Sequence, residues 1–375
     1  MAAALMDRTQ QMVTLPGARA LAPQLDALTG LRGLAAWYVV LFHTRVTLKA
    51  AVGPMVYALL SHGYLAVDLF FILSGFVLWH SGADNPAYQG ARGLARFWLR
   101  RIARIWPLHM VLLGGFVALV GLLAATGRDT GFYRWGELPL HVLLMQNWGM
   151  TAGLMWNEPA WSISCEWAAY LLFPFTVVMA PWRQWPTGAL VALGCALLSA
   201  LWAYFALHGS DDYLGYEIQR TGLMRCLLEF WTGNVLRMLW ARWRDVPDIC
   251  TGVWAAMIAL LEGGVVQHLP EASYMPGVFA ALILALSLED RTPARLLRSG
   301  PLHWLGEISY STYLSHFLLF IIFKMLFVGP DLTVGLGKLG LFLMIVLAAS
   351  AALYRLVEKP AQRWLLRRGE ARLAA

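Results

Sequence analysis

Charge is scarce in this chain. Of 375 residues only 14% are Asp, Glu, Lys or Arg, while 59% are hydrophobic. A soluble chain carries about a quarter charged residues, so a water-soluble globular protein is excluded. Cysteine is also sparse: Cys165, Cys195, Cys226 and Cys250 stand singly in apolar stretches. Without paired spacing they argue against a disulfide framework or a zinc site, and no metal is expected. No glycine-rich phosphate loop and no hydrolase serine elbow occur. The N-terminal segment holds Arg8 and Arg19 but lacks an uninterrupted apolar core followed by a cleavage pattern. The first helix is therefore expected to anchor the chain itself. The formal net charge of +7 would indicate nucleic acid only if the basic residues formed a soluble patch. They fall mostly in short loops between apolar runs instead, and no nucleic-acid partner is expected.

What the chain has in abundance is apolar runs of helical length. They lie at about 31–51, 63–81, 106–126, 160–180, 187–207, 222–240, 249–267, 272–289, 307–328 and 334–355. A weaker run at about 138–150 is too short to span and reads as re-entrant or interfacial. The fold class is thus all-α, a polytopic integral membrane bundle of about ten helices with both termini cytoplasmic. This orientation places the clusters Arg92 to Arg104, Arg237 to Arg244, Arg291 to Arg298 and Arg355 to Arg372 on one side, with Arg183. Asp211, Asp212, Glu217 and Glu271 fall on the other, where Arg45, Lys49, Arg128, Arg134 and Arg220 are exceptions. The expected division is a cytoplasmic tail over 1–24, a membrane domain over 25–360 and a basic cytoplasmic tail over 361–375, solvated or touching lipid headgroups. The lipid bilayer, specifically the inner membrane, is the expected location.

Within these runs a few ionisable residues stand out. Arg32 and His43 are eleven residues apart, roughly three helical turns, and share one helix face about 16 Å apart. If Arg32 marks a membrane surface, His43 lies near the midplane, where an ionisable group is costly and by default functional. Arg96, Arg100 and Arg104 recur every four residues, with Arg101 three before Arg104. On a helix all four crowd one side, suited either to phosphate recognition or simply to setting topology on anionic lipid. Ser162 and Glu166 share a face of the fourth run, beside Trp161, with Glu166 facing a cavity or a structural partner. His316 reaches a depth similar to that of His43. Asp68 is a buried acid expected to pair with a base on a neighbouring helix. Ser74-Gly75 reads as a small-residue packing site, and Glu358 as an interfacial ion pair or a functional acid.

Taken in order, these segments resemble the membrane-bound acyltransferases of the acyltransferase-3 type, which include bacterial sugar O-acetyltransferases. The resemblance covers about residues 25–365. It runs through Arg32 to His43, Val67 to Phe76, Arg100-Arg101 with Arg104 and Pro107, Trp161-Ser162 with Glu166, Leu305 to His316, and Glu358 with Pro360. It implies a ten-helix enzyme that uses cytosolic acyl-CoA, chiefly acetyl-CoA, as donor substrate to acylate a carbohydrate hydroxyl, with no bound cofactor. By motif position His43 is the catalytic histidine, with Arg32 its paired residue. Arg101 and Arg104 belong to the motif that holds CoA phosphates; Arg100 beside them and the acid Glu166 complete the candidates. His43 is expected to act as general base, a contribution of about 10²–10⁴-fold, or to be transiently acylated. The competing readings are acylation of a small hydrophobic natural product and a secondary transporter, for which midplane ionisable groups are equally expected.

Overall fold

A computed structural model of the protein describes residues 18–49, 51–82, 90–179, 182–208, 213–289, 292–329 and 333–374. Arg8 and the tail to residue 17, Asp211, Asp212 and Arg291 lie outside the described residues. Among the described residues the fold is helical, without strands. In chain order the helices are α1 (Ala18–Leu48), α2 (Pro54–Ser61), α3 (Ala66–Gly82), α4 (Gly90–Ala125), α5 (Leu138–Val142), α6 (Ala160–Met179), α7 (Thr187–Leu207) and α8 (Ile218–Trp243). There follow α9 (Ile249–Val266), α10 (Glu271–Leu288), α11 (Thr292–Leu297), α12 (Gly300–Glu307), α13 (Ser309–Phe327), α14 (Leu336–Leu353) and α15 (Lys359–Ala374).

Each of the ten longer apolar runs coincides with a long helix, and among the described residues seven stretches are long and apolar enough to cross a membrane. The protein is a multi-pass membrane protein. Helices α1, α6 and α8 fall short of that apolar standard, and they carry Arg32, His43, Glu166, Arg225 and Glu229. Their polar side chains turn toward other helices, whereas α9 and α14 expose apolar side chains along most of their length. Three boundaries differ from the sequence reading. Helix α4 begins at Gly90 rather than near 106, so its arginines belong to the membrane helix itself. The weak run at 138–150 yields only the short α5 followed by turns. The tail expected to be a solvated end is the helix α15, continuous across the boundary at 360, and it packs along α4. There Gly369 meets the Leu99 side chain, and Arg100 pairs with Glu370.

Close helix contacts set the frame of the bundle. At Gly75 of α3 an added Cβ would stand 1.9 Å from the Phe230 carbonyl oxygen of α8. At Gly233 of α8 one would stand 2.0 Å from the Ile72 oxygen of α3. The two backbones touch because neither residue has a side chain. A buried ion pair spans the same interface. Arg225 of α8 donates from Nε to Asp68 Oδ1 at 2.6 Å and from Nη2 to Oδ2 at 2.5 Å, and from Nη1 to the Leu214 carbonyl at 2.8 Å. Both side chains are almost fully buried, so each charge depends on the other. One turn further along α8, Glu229 is buried with neither carboxyl oxygen meeting a donor among the described residues.

Gly233→Ala should cost about 1–3 kcal/mol through overpacking against backbone. Gly252→Ala, at a site with nothing within 4 Å, should be neutral in the same detergent-unfolding measurement. Arg225→Met should lower stability by about 3–5 kcal/mol, because it strands the Asp68 charge. The double variant Asp68→Asn/Arg225→Met should recover part of that loss.

Candidate active site

A cavity of about 330 Å³ lies between α1, α3, α4, α6 and α13. Exposed Ser81 and half-buried Gln362 and Arg101 mark its mouth, and buried Ser162 and Tyr313 lie at its inner end, beside half-buried Phe70. Three arginines reach it. Arg32 gets there because α1 and α12 are in backbone contact: a Cβ on Gly306 would lie 1.9 Å from the Thr29 oxygen. At that range the Arg32 guanidinium donates from Nη2 to the Gly306 carbonyl at 2.9 Å and from Nε to Ser309 Oγ at 3.0 Å.

Arg100, Arg101 and Arg104 lie within about 100° of one another on α4, and two of them reach the cavity. Arg101 and Arg104 line the cavity, whereas Arg100, a helical step of about 100° from Arg101, turns to Glu370 at 3.2 Å. Arg104 Nη1 donates to Glu358 Oε1 at 2.8 Å, and Glu358 Oε2 accepts from Ser311 Oγ at 2.8 Å. Glu358 owes its inward position to a π turn, Tyr354–Glu358, between α14 and α15. Arg101 has no carboxylate partner among the described residues. Its guanidinium lies 5.8 Å from the Tyr170 ring and 5.9 Å from Phe97, and its Nε is buried without an acceptor.

Opposite the arginines, Glu166 Oε1 accepts from Ser74 Oγ and from Tyr170 OH, each at 2.5 Å. Its Oε2 makes no hydrogen bond among the described residues and keeps exposed surface. Ser162 Oγ lies 2.7 Å from Tyr313 OH, which also meets the Pro159 carbonyl at 3.2 Å. Trp161 stays outside the cavity, packed between the Phe71 ring and the Arg225 guanidinium. Asp68 is likewise outside, held by Arg225.

His43 and His316 meet on the other side of Tyr313. His316 Nε2 is 3.1 Å from His43 Nδ1, although 273 residues separate them. The Tyr313 ring, which walls the cavity, lies 6.1 Å from the His316 ring. The structure thus brings Arg32, Arg101, Arg104, Glu166 and Ser162 to one cavity, with Glu358 behind Arg104. It sets the two histidines apart from them by one aromatic layer. Among the described residues no carboxylate touches His43; Glu166 and Glu358 are both engaged elsewhere. Beside the start of α6, burial pushes the Glu158 carboxyl above its usual range, while the charges of Lys324 and Arg45 draw it down.

Several residues of the site carried signals that went unread. Tyr170 stands four residues after Glu166, on the same helical face. Arg225 is a lone cation inside an apolar run. Ser74, read as packing only, supplies a hydroxyl to Glu166. Tyr313 had no signal beyond its place in the segment that ends at His316.

Residues 25–355 match the acyltransferase domain family. The acyltransferase MdmB of Streptomyces mycarofaciens is 32% identical, over 92% of this chain and 93% of its own. The exopolysaccharide production protein ExoZ of Rhizobium meliloti is 29% identical, over 83% of this chain and 92% of its own. The peptidoglycan O-acetyltransferase OatA of Listeria monocytogenes is 25% identical over 78% of this chain, which spans about half of that relative (49%). No solved structure matches the chain. These relatives do not favour the transporter or small-product readings. A family match over most of the chain, on a bundle of membrane helices, places this protein in the acyltransferase domain family.

Proposed function

We propose that the protein transfers an acyl group, chiefly acetyl, from cytosolic acyl-CoA to a hydroxyl of a surface or exported glycan. The observation that carries the donor is Arg101, a cavity-lining guanidinium without a counterion among the described residues. Arginine presents a rigid fork of donors matched to phosphate oxygens. The cavity suits a long, thin donor: phosphates at Arg101 and Arg104 at the mouth, the acyl arm inward. Arg104 is already neutralised by Glu358 and adds orientation more than charge. Glu166 offers its open Oε2 to an amide N–H of the arm, while Ser74 and Tyr170 fix the carboxylate.

The thioester end reaches Tyr313 and Ser162, and transfer requires it to pass this layer to His43. There the acceptor hydroxyl gives its proton to His43 and its oxygen attacks the thioester carbonyl. The C–S bond breaks, and the departing sulfur takes the proton back from the imidazolium. The acceptor class rests on the relatives named for exopolysaccharide production and peptidoglycan O-acetylation.

Purified protein given acetyl-CoA and a glycan extract should release CoA thiol and acetylate the glycan, read by thiol titration and mass spectrometry. His43→Ala should abolish both while remaining folded in the membrane; wild-type turnover by that variant would refute the assignment. Arg101→Gln should raise KM for acetyl-CoA about ten- to hundredfold, as expected for loss of a charge-assisted hydrogen bond of about 1.5–3 kcal/mol, with kcat little changed.

A further inference from the structure

The histidine pair is over-determined by its surroundings. His316 is fully buried, and its Nδ1 lies 3.2 Å from the Thr312 carbonyl. His43 Nδ1 lies 3.0 Å from the Val39 carbonyl and 3.1 Å from His316 Nε2. Carbonyl oxygens only accept, so in the neutral pair the satisfied arrangement puts the proton on Nδ1 of each ring. His316 Nε2 then presents a lone pair, and His43 Nδ1–H is shared between it and Val39. The opposite arrangement, with His316 Nε2–H donating to a bare His43 Nδ1, would turn two ring lone pairs onto two carbonyl oxygens. Each buried group left without its hydrogen bond costs about 1–3 kcal/mol.

The consequence falls on the remaining nitrogen. His43 Nε2 makes no hydrogen bond among the described residues, and the side chain is only part-buried. The ring is also clamped edge-on between Phe42, at 5.1 Å and 79°, and Phe317, at 5.4 Å and 70°. Resting on the reading of His43 as base, we propose that His316 is a positioning residue. Its Nε2 accepts from His43 Nδ1–H, fixing the tautomer that presents a bare Nε2 to the acceptor hydroxyl. Which ring nitrogen of a histidine is basic is set by the hydrogen bond made by the other. The Val39 carbonyl, four residues back on the same helix, holds the proton only while the ring keeps this rotamer. The cross-helix bond from α13 adds a second acceptor that resists rotation of the ring.

The test uses the full-length protein in lipid nanodiscs, labelled with ¹⁵N-histidine, and the His43 signals are identified by their loss in His43→Gln. Wild type should show His43 protonated at Nδ1 and unprotonated at Nε2. His316→Leu should give mixed tautomers and lower kcat by up to about tenfold, the equivalent of about 1.4 kcal/mol and the scale of one hydrogen bond, with KM for acetyl-CoA unchanged. His316→Gln, whose amide oxygen can occupy the Nε2 position, should restore the single tautomer and most of kcat. An Nε2-protonated His43 in wild type, or a His316→Leu variant that keeps both tautomer and kcat, would overturn the proposal. If the tautomer responds to His316 while even His43→Ala remains active, the positioning stands and the catalytic role of His43 falls.

Discussion

A charge enclosed by helices in a membrane has no water to turn to and must find its counterion on another helix. The Arg225–Asp68 pair is where this constraint acts most strongly. It ties α8 to α3 at an interface already drawn tight by Gly75 and Gly233, with both charges removed from solvent. Helix α3 is thereby held in the position from which Ser74 reaches Glu166, and α8 in the position from which Arg225 covers Trp161. A buried pair of this kind contributes little net stability, but removing one partner is severe. Its effect is specificity of packing.

In the cavity most charged groups are met by neutral partners, and only Arg104 meets a carboxylate among the described residues. Arg104 is satisfied by Glu358, Glu358 by Ser311, Arg32 by Ser309 and a carbonyl, and Glu166 by Ser74 and Tyr170. Arg101 alone among the cavity's arginines lacks a fixed acceptor among the described residues. A guanidinium without a fixed acceptor is the group that the proposed anionic donor would meet. The histidine pair is separated from the cavity by Tyr313, so in the proposed reaction donor binding and proton transfer would fall to different compartments of the bundle.

Much of the fold could be read from hydropathy, because the bilayer imposes a minimum apolar length on each crossing. The errors came where that rule weakens. At Gly90 a helix continues past its apolar part, since backbone hydrogen bonds persist outside the membrane while hydropathy falls. At Lys359 a polar segment stays ordered because it lies along α4, a contact between segments hundreds of residues apart. Within the arginine cluster the spacing could not assign partners: Arg100 and Arg104 lie about 40° apart, yet one meets Glu370 and the other Glu358 beside the cavity.

Length of apolar runs, the rotation between residues on one helix and the order of motifs are local properties. They were enough to specify a helical membrane protein, to link Arg32 with His43, and to identify the acyltransferase resemblance. Which helix lies beside which is not local. The partner of His43 is on α13, that of Asp68 on α8 and that of Arg104 in a π turn near the end of the chain. Only the tertiary structure decided these, because a buried polar group selects its neighbour by distance and donor geometry, to which separation along the sequence is indifferent.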